Sequence, residues 1–144
     1  MTIKAIQEEL IEEFAMFEDW MQRYEYMIDL GKSLPLIDKQ HKTEDRVIKG
    51  CQSKVWLDAE LKGDKIVFSA DSDAIITKGI IAILIRTFNN QTPTAILNSN
   101  TDFIDQIGLK EHLSATRANG LTSMIKKLKL YATAYQAKLN SSLF

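Results

Sequence analysis

The chain has 144 residues, 18 basic against 19 acidic, two prolines and a single cysteine, Cys51. One cysteine excludes an internal disulfide and any cysteine-rich zinc or iron–sulfur site built by one chain, and a net charge of −1 offers no global attraction for nucleic acid. The longest apolar stretch, Ile80–Ile85, is too short to span a bilayer, and Met1-Thr2-Ile3-Lys4 turns acidic at once, unlike a signal or transit peptide, so a soluble, cytoplasmic single domain over 1–144 is expected.

In chain order, Ile3, Ile6, Leu10, Ile11, Phe14 and Phe17 keep the three-four spacing of an amphipathic helix, with Thr2 as its N-cap. A bend is expected near Phe17–Asp19. A second helix follows with Trp20, Tyr24, Met27 and Ile28 on one face, closed by Gly31 at a left-handed C′ position and by Pro35. Residues 32–46 read as a polar loop. From Ser53 to Leu61 the period changes to two, with Val55, Leu57, Ala59 and Leu61 on one face and Trp56, Asp58 and Glu60 on the other. Lys62-Gly63-Asp64 makes a turn, and Lys65–Asp71 alternates again, which predicts a hairpin; Arg46-Val47-Ile48 supplies a short third strand.

Ser72 or Asp73 is expected to cap the most apolar helix, built on Ile75, Ile76, Ile80, Ile83 and Leu84. Gly79 inside it costs about 1 kcal/mol relative to Ala, which points to close packing against a neighbour. Thr92-Pro93 and Thr101-Asp102 open short helices, the second closed by Gly108, and a last helix starts after Asn119-Gly120. The class is α+β: a small antiparallel sheet of about three strands, covered on one face by helices. Residues 1–25 carry seven acids and two bases, while residues 110–144 carry six bases and one acid. That asymmetry reads either as solvated helix faces or as terminal helices lying together, or a basic face for a partner.

Few residues offer chemistry. Free cysteine is commonly a buried, inert residue, but Cys51 is flanked by polar residues. Gly50 permits an unusual backbone, and Arg46, Lys49 and Lys54 bring positive charge that favours the thiolate. Inert residue and nucleophile both stay open. A Cys–His hydrolase requires His41 or His112 beside Cys51, and the sequence shows no such proximity. Asp71-Ser72-Asp73 is too sparse for a metal site, and the glycines are too scattered for a phosphate loop. Trp20 and Trp56 read as packing residues, with a surface groove near the cysteine loop as the alternative for Trp56, which lies on the strand face opposite Val55 and Leu57.

Four blocks in order resemble one known family. Gly50-Cys51-Gln52-Ser53-Lys54-Val55-Trp56 resembles the cysteine loop of SufE-type sulfur acceptors, and the run from Trp20 through Arg23-Tyr24 to Gly31 and Leu34-Pro35 is similar to that family's N-terminal helix and exit. Asp71–Gly79 and Leu113–Ile125 resemble the segments that open its central and C-terminal helices. The resemblance implies a fold like that of IscU-type scaffolds. It implies a carrier, not an enzyme, with no metal and no cofactor of its own. Cys51 would take persulfide sulfur from a cysteine desulfurase (SufS- or CsdA-like, itself using pyridoxal phosphate), stimulate it, and pass sulfur to an iron–sulfur scaffold. Gly50, Gln52, Ser53, Asp73 and Arg117 are the supporting or partner-contact candidates. Arg117 is either a helper near Cys51 or half of a structural ion pair, and Ala115 stands where relatives often have proline. The competing class is an interaction adaptor with an inert cysteine. A monomer or weak dimer is expected, with the tail 136–144 extending the last helix.

Overall fold

A computed structural model describes residues 1–51 and 53–141. Helix α1 spans Ile3–Ala15 and begins where the Thr2 hydroxyl accepts from the Ala5 amide at 3.1 Å. Helix α2 spans Trp20–Lys32, and Asp19 caps it by accepting from the Gln22 amide at 2.8 Å. The expected bend is therefore a helix break fixed by a carboxylate cap. Gly31 is not the left-handed terminator that its position suggests. It lies inside α2 and faces α3 (Ile75–Phe88), where a Cβ would come within 3.2 Å of the Gly79 amide nitrogen. Opposite it, a Cβ at Gly79 would meet the Met27 carbonyl oxygen at 2.5 Å. The two helices thus cross backbone to backbone, as the glycine inside α3 predicts.

Strands β1 (Val55–Lys62) and β2 (Lys65–Ser72) pair antiparallel, with Leu57 opposite Ala70 and Ala59 opposite Phe68. Gly63, at φ +64°, makes the turn. Val55, Leu57, Ile66, Phe68 and Ala70 are fully buried on the inner face, where α3 and α6 (Ala115–Ser141) cover them. Burying each of the large ones contributes about 1.5–3 kcal/mol. The expected third strand is reduced to a single bridge, Val47 to Trp56, with the Ile48 amide donating to the Val55 carbonyl at 2.8 Å. Further along that edge, Tyr131 and Tyr135 of α6 donate their hydroxyls to the Leu57 and Ala59 carbonyls at 2.9 and 2.7 Å. Side chains take the acceptors that another strand would need. The outer edge of β2 is closed in the same piecemeal way. The Ala70 amide donates to the Pro35 carbonyl, the Ile66 amide donates to the Gln91 carbonyl, and the Phe68 amide donates to the Asn89 side chain.

The segment expected as plain loop holds two short 3-10 turns, Lys39–His41 and Glu44–Arg46. It lies along the outer face of the hairpin, where Arg46 and His41 contact Asp58 at 3.0 and 3.4 Å and Lys42 contacts Asp71 at 2.6 Å. Lys42 also sits 5.0 Å over the Trp56 ring. Helices α4 (Pro93–Asn98) and α5 (Asp102–Ile107) follow, the first capped by Thr92 and the second ended by Gly108 at φ +83°. Helix α6 begins earlier than expected. Its first turn is at Ala115, the Ser114 hydroxyl accepts from the Arg117 amide, and Asn119-Gly120 lies within the helix. Two of the acids of α1 find their cation on α3, since Arg86 bonds Glu9 at 2.6 Å and Glu13 at 2.8 Å. The charge asymmetry between the termini does not pair α1 with α6 there.

Candidate functional site around Cys51

Cys51 sits at the tip of the loop that enters β1. The two sides of this loop are held differently. On the β1 side, the Lys54 amide donates to Asp73 Oδ1 at 3.0 Å and the Asp73 amide donates back to the Lys54 carbonyl at 3.2 Å. Ser53 Oγ and Thr77 Oγ1 are 3.0 Å apart. Asp73 is therefore not the cap of α3. That position is Ala74, whose side chain cannot cap, while the Ser72 hydroxyl accepts from the Ala74 amide at 3.2 Å. The Asp73 carboxylate is spent on fastening the loop stem.

On the Cys51 side the contacts are mainly steric. Gly50 adopts φ +87°, a region that favours glycine, and a Cβ there would lie 2.9 Å from Ser123 Oγ. Cys51 Sγ points onto α6, 3.9 Å from the Gly120 carbonyl, a long and weak thiol contact. A Cβ at Gly120 would be 3.2 Å from that sulfur. Beside it is a cavity of about 10 Å³ lined by Thr77, Ile80, Thr116, Arg117, Gly120 and Met124. That is room for about one water, and far too little for an amino acid. Larger clefts lie elsewhere, ≈ 430 Å³ between α1 and the α4–α5 turn and ≈ 440 Å³ over the outer face of the hairpin, and Cys51 lines neither.

The thiol is half-buried, and burial pushes its pKa up. This runs against the expectation that positive charge from Arg46, Lys49 and Lys54 favours the thiolate. Arg46 is committed to Asp58, and Lys54 reaches towards Glu44 at 3.9 Å in an exposed contact. Desolvation then dominates and favours the neutral thiol.

Arg117 lines the Cys51 cavity and, among the described residues, has no ion-pair partner. Gln52 lies outside the described residues. His41 contacts Asp58, and His112 stacks on Trp20 with ring centroids 3.8 Å apart, so neither lines the Cys51 cavity and the Cys–His arrangement is not formed there. Among the described residues, no group of three or more His, Cys, Asp or Glu is disposed to hold a metal. Gly120, Ser123 and Thr77 were not singled out by the sequence reasoning. The period of α6 would have placed Gly120 and Ser123 near one another, but only the fold brings them to the cysteine.

A family model described as SufE, Fe-S metabolism associated domain, matches residues 8–132. The chain belongs to the SufE family. That match is wider than the four sequence blocks, and it ties the chain to Fe–S metabolism. An uncharacterized SufE-like protein of Rhizobium meliloti is 39% identical over 127 residues, covering 85% of this chain and 91% of its own length. The SufE-like protein 1, chloroplastic/mitochondrial, of Arabidopsis thaliana is 33% identical over 132 residues, covering 91% of this chain and 36% of that longer protein. Among solved structures, the solution structure of a hypothetical protein from Thermus thermophilus superposes with a TM-score of 0.77 at 18% identity, over 92% of this chain and 96% of that one. It shows a shared fold and nothing beyond it. No described helix is long and apolar enough to cross a membrane.

Proposed function

We propose that this SufE-family chain is a covalent sulfur carrier that loads Cys51 from the persulfide of a pyridoxal-phosphate-dependent cysteine desulfurase, stimulates that enzyme, and delivers the sulfur to iron–sulfur cluster assembly in the cytoplasm. The observation that carries this reading is a lone thiol next to a glycine at positive φ, beside a cavity with room for about one water. A thiol so placed reacts with what another macromolecule presents, once the loop turns outward.

The chemistry is a thiol exchange. The Cys51 thiolate attacks the outer sulfur of the desulfurase persulfide, a new S–S bond forms at Cys51, and the desulfurase sulfur leaves as its thiolate. The donor's S–S bond breaks as the new one forms and the transferred sulfur keeps its oxidation state and its proton, so no oxidant or reductant enters. Turning outward serves two ends. It exposes the sulfur to in-line attack, and it removes the burial that holds the thiol neutral, so the nucleophile forms where it is needed. In the free protein the tucked position shields the thiol or persulfide from oxidants and stray thiols. Arg117, at the cavity wall, supplies a cation to the anionic sulfur or to the partner's surface.

Incubation with a desulfurase and cysteine, followed by intact mass, tests the reading. The expected result is a reductant-sensitive gain of about 32 Da, one sulfur on one thiol, absent from Cys51→Ser. No gain with a desulfurase that binds the chain, or an equal gain in Cys51→Ser, would leave the adaptor reading in its place. Faster hydrogen exchange at residues 48–51 on desulfurase binding is expected for the loop motion, and unchanged exchange would rule that motion out.

A further inference from the structure

We propose that Gly120 is a positioning residue for the thiol: its missing side chain lets Cys51 seat against α6, and that seat sets how readily the sulfur reacts. Several observations meet here. Gly120 is buried in the interior of a 27-residue helix, a place where glycine costs about 1 kcal/mol relative to alanine. It has no terminal or left-handed role, since its φ is not positive. What occupies the space of its absent Cβ is Cys51: the sulfur would lie at 3.2 Å, the Cα at 3.6 Å and the Cβ at 3.7 Å. One turn along the helix the roles reverse, and the Ser123 hydroxyl of α6 stands 2.9 Å from where a Cβ of Gly50 would lie. The loop tip therefore rests on a shelf of α6, held by shape, whereas the stem three residues later is fastened by the Lys54–Asp73 pair of hydrogen bonds.

A methyl group at position 120 would press on the loop tip, which lies between its hydrogen-bonded ends and touches α6 mainly through steric contact. Displacement by a few tenths of an ångström moves the sulfur away from the helix and towards water. The surroundings of the thiol are simple enough for this to be read. From α6 the charged group lining the cavity is Arg117. From α3 come Thr77 and Ile80, which do not titrate, and on the loop itself Lys49 and Lys54 are exposed to solvent. Burial is what raises the thiol pKa, so moving the sulfur towards water favours the thiolate, against a smaller loss from any weakening of its contact with Arg117. The positioning stands on geometry alone, while its consequence for sulfur loading rests on the carrier reading above.

The test is the rate of iodoacetamide alkylation of Cys51 in the full chain, wild type against Gly120→Ala, followed by intact mass from neutral to alkaline pH. Gly120→Ala is expected to keep its helical circular dichroism, to alkylate about threefold faster at neutral pH because more of the thiol is ionised, and to show a lower pH midpoint. A folded variant with unchanged rate and midpoint would overturn the proposal. So would a variant that loses its fold, because the loop would then be unable to give way. Sulfur loading by a desulfurase, read on the same samples as a gain of about 32 Da, separates the two ideas. Loading with unchanged alkylation sinks the positioning role and keeps the carrier; faster alkylation without loading does the reverse.

Discussion

Two glycine contacts bring segments of this protein unusually close, and they differ in what stands opposite. At the α2–α3 crossing, Gly79 faces the Met27 carbonyl, with a would-be Cβ at 2.5 Å from its oxygen and 2.9 Å from its carbon. Both partners there are helix backbone, buried in the core, and neither can move without unpacking Ile80, Ile81 and Leu84. At the α6–loop contact, Gly120 faces a sulfur at the end of a side chain, on the tip of a loop whose hydrogen-bonded ends lie at Ile48 and Lys54. Both glycines remove a Cβ, yet one contact is fixed architecture and the other is adjustable. Interiors pack densely enough that the first kind transmits any added volume as strain.

Substitutions sharpen this contrast, in order of size. Gly79→Ala is expected to lose about 2–3 kcal/mol in urea unfolding, because overpacking against backbone outweighs the gain in helix propensity; a loss under half of that would mean that the crossing yields to added volume. Gly50→Ala should cost about 1–2 kcal/mol from its positive φ. Adding Ser123→Ala should recover part of the loss, since it removes the oxygen at 2.9 Å, and strict additivity in that double-mutant cycle would argue against the contact. Asp73→Ala should cost about 0.5 kcal/mol, an exposed hydrogen bond's worth, with faster exchange of the Lys54 amide as its signature. Gly120→Ala should be the mildest, within about 0.5 kcal/mol of wild type in stability, with its effect appearing instead in thiol reactivity.

The parts of the fold legible in the sequence were those decided locally or by period. Thr2, Gly63 and Gly108 do what their residue types permit at those places, and the alternation through Val55–Leu61 and Ile66–Ala70 marks the hairpin. Gly79 announced a close contact because nothing local required a glycine there. The same argument applied to Gly31 and Gly120, but each sat where a helix end was also plausible, and tertiary packing carried the helix through both. The missing third strand was not legible, since Tyr131 and Tyr135 reach the β1 edge from more than 70 residues away. At the site, Cys51 and the bent backbone of Gly50 could be picked out from type and neighbours. The state of the thiol could not, because it depends on whether Arg46 and Lys54 look towards the sulfur, and they are drawn to Asp58 and Glu44.

The pH dependence follows from burial. Cys51 has a raised pKa when tucked against α6, so the neutral thiol of the folded state adds stability that is complete below the pKa of an unfolded cysteine and fades as pH rises through the folded value. Alkylation of the free protein should therefore rise with a midpoint above that of an ordinary thiol, and the Gly120→Ala midpoint should lie between the two.

The most direct measurement uses a desulfurase charged with persulfide and freed of cysteine, mixed with this chain for a single turnover, then alkylated, digested and mapped by tandem mass spectrometry. The expected result is one extra sulfur, about 32 Da, on the peptide containing Cys51, with matching loss from the desulfurase. Persistence of the donor persulfide in the complex, with Cys51 alkylated as a plain thiol, would contradict the carrier role.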